Sequence, residues 1–102
     1  MTSGQRYEPR ALTVDSGESV TFVNESKDAH TVTAYERELP EAASFFSSGG
    51  FESEDEAHDD IAGGLMSAGE KFEVRFSVPG TYQYFCIPHE GSSMRGRIVV
   101  EE

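Results

Sequence analysis

The stretch YQYFCIPHEGSSMRGRIVV, residues 82–100, decides the fold, because two strand-like runs flank one short loop. The run before the loop alternates aromatic and polar residues, and the run after it ends in IVV, as half-buried strands do. The loop region holds Cys86, His89 and Met94 in the spacing C-x2-H-x4-M, and Cys86 is the only cysteine in 102 residues. The stretch therefore predicts two strands joined by a loop that carries a thiol, an imidazole and a thioether.

Short alternating runs separated by turn residues continue through most of the chain. Besides the runs at the C-terminal end, they are RALTV (10–14), SVTFVN (19–24), HTVTAY (30–35) and KFEVRFSV (71–78). The last run, KFEVRFSV, would place three apolar residues on one face of a strand, with charged residues alternating between them: Phe72, Val74 and Phe76. Six or seven short strands at this spacing predict an all-β sandwich.

The middle of the chain, residues 36–69, breaks the strand pattern. Residues 39–46 and 55–62 are expected to form short helical turns, and Ser53 with Glu56 three positions later fits a helix N-terminal cap. The length fits a single domain over residues 1–102, with residues 1–6 expected to be a flexible tail.

The charge balance excludes several classes of partner. Nineteen acidic residues against eight basic ones give a formal net charge of -11, which argues against nucleic acid and against anionic membrane surfaces. The acids are spread along the chain, which favours a protein kept soluble in a salty medium over one that steers a basic partner. No apolar run is long enough for a membrane span or a signal peptide.

The residue types in the loop indicate a soft metal ion. A thiolate, an imidazole and a thioether suit copper better than magnesium or calcium, and a trigonal blue-copper site needs one further histidine. Of the two other histidines, His30 begins a strand-like run, whereas His58 lies in the acidic run SEDEAHDD and is expected to be solvated. His30 is therefore the natural second histidine, provided that the fold carries it to the loop.

The stretch PGTYQYFCIPHEGSSMRGRIVV (79–100) closely resembles the copper-binding end of the small type 1 copper proteins, the cupredoxins. The C-x2-H-x4-M spacing is similar to that of plastocyanins, pseudoazurins and the halophilic archaeal halocyanins, and the acidic composition favours the halocyanins. SVTFVNESKDAHTV (19–32) resembles the family's segment around the first histidine ligand. The resemblance implies a Greek-key β-sandwich of about seven to eight strands with an irregular, partly helical middle region.

The same resemblance implies the site and the function. His30, Cys86, His89 and Met94 would bind one copper ion in a mobile one-electron carrier that is not an enzyme. Redox partner proteins would dock near the His89 loop. The resemblance further implies a monomer on the outer face of the cytoplasmic membrane, without a membrane span of its own and with a possible lipid anchor.

Two positions depart from the plastocyanin pattern. Thr31 stands where plastocyanins usually have Asn after the first histidine, and its hydroxyl is expected to tie the two ligand segments together in part. Phe85 stands where they usually have Tyr before the cysteine, so an electron route through that tyrosine does not carry over.

Two other classes of function compete with the carrier. Cys86 and His89 could form a nucleophile and base, although that reading leaves Met94 and the second histidine unexplained. A non-redox copper store or delivery protein is the other alternative, but such proteins expose several exchangeable ligands. A binuclear copper centre would need two cysteines, and the chain has one.

Overall fold

The computed structural model describes residue 7, residues 10–92 and residues 94–102. The expected tail, residues 1–6, lies outside the described residues. The described residues form six strands: β1 (Ala11–Asp15), β2 (Glu18–Val23), β3 (Thr33–Ala34), β4 (Lys71–Phe76), β5 (Gly80–Phe85) and β6 (Arg95–Glu101). Two short α-helices, α1 (Glu54–Asp59) and α2 (Ile61–Gly64), and two 3-10 turns, Glu36–Glu38 and Ile87–Ser92, complete the described elements.

The strands form two sheets. One has the order β1-β6-β5-β3, in which β1 and β6 run parallel and the other neighbours antiparallel, and the second pairs β2 with β4 antiparallel. The predicted all-β sandwich with a partly helical middle is confirmed. The described residues contain fewer strands than the expected seven to eight, because two segments there pair only through single bridges, His30 to Met66 and Thr33 to Ser47.

Aromatic side chains fill the space between the two sheets. Phe22 of β2 meets Tyr84 of β5 edge to face with ring centroids 5.2 Å apart, and Phe76 of β4 meets Tyr82 of β5 at 4.9 Å. All four side chains are buried, as the alternation in their strands predicts. The core holds the end of β5 in place, and Cys86 follows directly after it.

The middle region follows the prediction in its second half only. Helix α1 begins after Ser53, whose side chain accepts a hydrogen bond from the Glu56 amide at 3.2 Å, so the predicted cap is confirmed. Residues 39–46 form no helix but a tight turn in which Ala42 has φ of 70° and the Ala43 amide donates to the Pro40 carbonyl, so the predicted helical turn is wrong there. Residues 46–48 instead run along β3, where the Ala34 amide donates to the Phe46 carbonyl and the Ser48 amide to the Val32 carbonyl.

In the described part of the chain, no helix has the length and apolar character needed to cross a membrane.

Candidate metal centre

Three of the four predicted ligands meet at one end of the sandwich. His30 lies between β2 and β3, Cys86 follows β5, and His89 lies in the 3-10 turn after it. Cys86 Sγ is 3.3 Å from His89 Nδ1 and 3.8 Å from His30 Nδ1, and the two Nδ1 atoms are 3.2 Å apart. The fold therefore carries His30 across 56 positions of sequence to the loop, as the sequence analysis required.

Met94 is tied to the same site through its backbone. The Cys86 amide donates to the Met94 carbonyl at 3.0 Å, and the Met94 amide donates to the His89 carbonyl at 3.3 Å. The His89 amide in turn donates to the Cys86 carbonyl at 3.1 Å. The Met94 side chain is 1% exposed and packs in the same core cluster as Cys86. These three bonds hold both ends of the loop together.

Thr31 links the two ligand segments, as predicted. Its amide donates to Cys86 Sγ at 3.3 Å, and its hydroxyl oxygen accepts from the Ile87 amide at 2.9 Å. Thr33 donates to the same hydroxyl oxygen at 3.3 Å, and Tyr7 donates to the Thr31 carbonyl at 2.6 Å. Thr31 is 1% exposed, so these bonds lie in a region of low dielectric, where they hold the sulfur firmly.

A polar network that the sequence did not predict lies behind His30. The ring Nε2 lies 2.9 Å from the hydroxyl oxygen of Ser26, and Ser26 Oγ donates to the side-chain oxygen of Asn24 or to the Asp28 carbonyl. Asn24, Ser26 and His30 are all buried. The signal available in the sequence was weak, because Asn and Ser after a strand indicate a turn before they indicate a site.

Burial shifts the pKa values of the two buried donors in opposite directions. It lowers the pKa of His30, and the neighbouring His89 lowers it further. Burial raises the pKa of the Cys86 thiol, and hydrogen bonds from Thr31 and His89 partly offset this rise. In the metal-free protein His30 is thus a neutral imidazole at neutral pH and Cys86 a thiol, which must lose its proton to bind a metal.

The donor set fits a single soft metal ion. The three donor atoms lie within 4.8 Å of one another, at the spacing of a trigonal ligand set with metal–ligand bonds of about 2 Å. Two imidazole lone pairs cannot face each other at 3.2 Å without a proton or cation between them. One thiol and two imidazoles with a buried thioether nearby match the blue-copper set in type and number.

His58 takes no part in the centre. It lies on α1 with its side chain 40% exposed and contacts Glu54 at 3.4 Å, so the expected solvated histidine is found, within the segment predicted to form a helical turn. Its ring lies 5.7 Å from that of Phe85, which also stacks on Tyr35 at 4.2 Å. Phe85 lies on the face of β5 opposite to the core residues Tyr82 and Tyr84, yet it is buried, because Tyr35 and His58 cover it.

Known copper-binding proteins are similar to this chain over nearly its whole length. Residues 2–101 match the family model described as copper binding proteins, plastocyanin/azurin family. Plastocyanin from Scenedesmus fuscus is 36% identical over 95 residues, which cover 93% of this chain and 86% of that protein. The chloroplastic plastocyanin of Physcomitrium patens is 36% identical over 94 residues, and the chain spans 49% of its length.

Solved structures show the same relationship. A structure of an oxidised amicyanin variant aligns with a TM-score of 0.69 and 29% identity, over 97% of this chain and 76% of that one. Agreement over nearly the whole chain covers both segments that meet at the centre, the one around His30 and the one from Cys86 to Met94.

Proposed function

This chain belongs to the plastocyanin/azurin family of copper-binding proteins, and from that premise we propose that it is a mobile one-electron carrier whose single copper ion is held by His30, Cys86, His89 and Met94. One observation carries the proposal. The Nδ1 atoms of His30 and His89 and the sulfur of Cys86 converge within 3.8 Å, although His30 is remote in sequence.

Each ligand has a distinct part in the proposed centre. Cys86 would supply the thiolate, the strongest donor, and the two histidines would bind the ion through their Nδ1 atoms. Met94 would add a thioether, a weak ligand that tunes the redox potential in sites of this type. Copper, when bound, would supply the one-electron chemistry by cycling between Cu(I) and Cu(II).

The surroundings of the ligands favour electron transfer over ligand exchange. His30 and Cys86 have no exposed surface, and Met94 is 1% exposed, so water and competing ligands are kept away. The hydrogen bonds of Thr31 and Ser26 hold the donors in place independently of the metal. A rigid, closed site changes little between the two oxidation states, whereas a copper store or delivery protein needs open, exchangeable ligands. The carrier is therefore favoured over the non-redox alternative.

The proposed exit for the electron is His89, the ligand nearest to solvent. Its side chain is half-buried, the neighbouring Pro88 is exposed, and Leu65 exposes 37% of its surface next to Met66, the bridge partner of His30. Gly91 is exposed in the same turn, while the side chain of Ser92 and all of Ser93 lie outside the described residues. A small, weakly apolar patch suits the short encounters of redox partners.

The setting of the protein belongs to the proposal as well. The net charge of -11 supports a halophilic, halocyanin-like carrier, which works as a single monomeric copper domain over residues 1–102 and not as an enzyme. By the same resemblance it acts outside the cytoplasm, at the outer face of the cytoplasmic membrane.

A copper titration followed by absorption spectroscopy tests the function. Oxidised protein with one equivalent of copper is expected to be intensely blue through thiolate-to-copper charge transfer, and ascorbate should bleach it. Cys86→Ser should remove the colour, while His58→Gln, which changes a histidine outside the centre, should keep it. A colourless Cu(II) adduct in which the Cys86 thiol still reacts with thiol reagents would refute the carrier.

A further inference from the structure

The two ring nitrogens of His30 have different surroundings. Nδ1 faces the metal centre, 3.2 Å from His89 Nδ1 and 3.8 Å from Cys86 Sγ, whereas Nε2 faces away from it and lies 2.9 Å from Ser26 Oγ. A neutral imidazole carries one proton, on one nitrogen only, and is an acceptor at the other. Only the form with the proton on Nε2 leaves a lone pair on Nδ1 for a metal ion.

The hydrogen bonds of Ser26 decide which form is favoured. Its hydroxyl has one proton, and two oxygen acceptors lie within reach, the Asn24 side-chain oxygen at 2.8 Å and the Asp28 carbonyl at 3.0 Å. The Asp28 amide donates to Ser26 Oγ at 3.2 Å, which leaves one lone pair on that oxygen for the ring. The hydroxyl proton has three acceptors within reach, the Asn24 and Asp28 oxygens and His30 Nε2 at 2.9 Å. When the proton goes to either oxygen, Ser26 accepts from His30 and Nε2 carries the hydrogen.

Asn24 fixes the direction of this chain of hydrogen bonds. Its amide nitrogen donates to the carbonyls of Asp28 at 2.8 Å and Met66 at 2.7 Å, so its oxygen is turned toward Ser26. That oxygen accepts from both the amide and the hydroxyl of Ser26. Asn24 has no exposed surface, so water does not replace these partners, and a flipped amide would set its oxygen against two carbonyls and its nitrogen against the Ser26 amide.

We propose that Ser26, oriented by Asn24, is the positioning residue that holds His30 in the Nε2–H form and keeps the Nδ1 lone pair aimed at the metal centre before any metal binds. The assignment of the tautomer depends on the hydrogen bonds alone, whereas its effect on copper affinity rests on the proposed function. The backbone of His30 is held separately, by paired hydrogen bonds with Met66, so the role of Ser26 concerns the ring.

Nitrogen-15 NMR of the metal-free protein tests the tautomer directly. At about pH 8, above the usual pKa of histidine, the His30 ring should show a pyrrole-like Nε2 and a pyridine-like Nδ1. Ser26→Ala should yield a mixture of the two forms, because Nε2 then lacks its acceptor. Ser26→Thr, which keeps a hydroxyl, should restore the wild-type pattern.

Copper affinity gives the second readout, with a matched control. Ser26→Ala should weaken copper binding about 10- to 100-fold, as loss of a partner behind a metal-binding histidine usually does. Ser48→Ala is the control, because Ser48 is a buried serine with comparable bonds, accepting from the Val32 amide at 3.0 Å and donating to the Gly64 carbonyl at 2.7 Å, away from His30. It should leave both the tautomer and the affinity unchanged.

The outcomes separate this proposal from the function. A wild-type ring protonated mainly on Nδ1, or a Ser26→Ala ring identical to wild type, would overturn the role of Ser26. A correct tautomer in a protein that binds no copper would overturn the function and leave the tautomer assignment standing. If Ser26→Ala does not fold, the wild-type spectrum and Ser26→Thr still decide the question.

Discussion

At the scale of single residues, the centre combines donors that burial affects in opposite ways. Desolvation lowers the pKa of His30 and raises that of Cys86, because burial disfavours whichever form is charged. The histidine is thus ready to bind a metal, and the cysteine becomes a ligand only as its proton leaves. The site is therefore expected to bind copper more tightly as the pH rises.

Met94→Leu tests the axial role of the thioether. Leucine has a similar volume and keeps the side chain apolar in its buried position, so the fold should persist. The three strong donors remain, so the copper protein should stay blue, while loss of the sulfur should raise the reduction potential. Cyclic voltammetry of both proteins measures the shift. Complete loss of copper affinity would contradict an axial, tuning role.

Tyr84 makes stability depend on alkaline pH. Burial raises the pKa of Tyr84 from its usual value of 10.0 to about 12, so the folded state resists an ionisation that the unfolded chain undergoes. The contribution of Tyr84 is fully present below about pH 10 and is lost as the pH rises through about 12, at up to about 1.4 kcal/mol per pH unit. Denaturant unfolding at a series of pH values measures this slope.

Tyr84→Phe provides the comparison for that slope. The variant lacks the ionisable hydroxyl, so its free energy of unfolding should fall less steeply over the same pH range. The remaining slope reflects other buried tyrosines, of which Tyr7 also has a pKa raised by burial. Equal slopes for the variant and the wild type would contradict the assignment to Tyr84.

At the scale of elements, the pairing of β5 with β6 depends on a glycine. Gly96 lies opposite Tyr84, and a Cβ atom at position 96 would come within 2.5 Å of the Tyr84 hydroxyl oxygen. Gly96→Ala should therefore destabilise the metal-free protein by about 1–3 kcal/mol through overpacking, measured by denaturant unfolding. Gly91→Ala is the control, because a Cβ there meets nothing within 4 Å. Equal stability of the two variants would argue against this packing.

The C-terminal elements were predictable because local pattern and tertiary role agree there. The alternation in β5 and β6 predicts the faces that are buried, and the spacing of Cys86, His89 and Met94 predicts a loop with metal-binding donors. His30 was predictable from the need of a trigonal site for a second histidine and, above all, from the resemblance of residues 19–32 to the family's first-ligand segment. Nothing in the periodicity shows which strand brings that histidine to the loop.

The middle region was predictable only where local signals dominate. Ser53 begins α1 because its side chain caps the helix, which is a local effect. Residues 39–46 have helical composition, yet the chain turns at Ala42, with φ of 70°, and continues into the segment that pairs with β3. The open edge of a two-residue strand offers hydrogen bonds that outweigh a weak helix propensity. The edge of β3 exists only in the folded sheet, so the local sequence of residues 39–46 does not indicate it.

At the scale of the whole molecule, the net negative charge affects the stability of the folded state more than any single ion pair does. In the described part of the chain a single ion pair is found, between His58 and Glu54, and it needs a protonated histidine. The formal net charge of -11 on 11.2 kDa therefore acts mainly as self-repulsion, which destabilises the folded state. Salt weakens this repulsion by screening it.

The free energy of unfolding should accordingly rise with salt. Between about 0.01 M and 1 M, the Debye length falls from about 30 Å to 3 Å, so most of the repulsion between surface carboxylates is removed. Urea denaturation of the metal-free protein in sodium chloride and in potassium chloride measures the effect and separates screening from the binding of one particular cation. Stability that is flat or falling in both salts would contradict the halophilic assignment.

The central claim is that residues from two distant parts of the chain hold one copper ion together. Crystals of the copper-loaded protein, measured at the copper absorption edge, test this most directly. The account predicts one anomalous peak per chain, between His30 Nδ1, Cys86 Sγ and His89 Nδ1, with the Met94 sulfur on one side. A peak among the surface carboxylates instead, or His30 turned away from the ion, would contradict it.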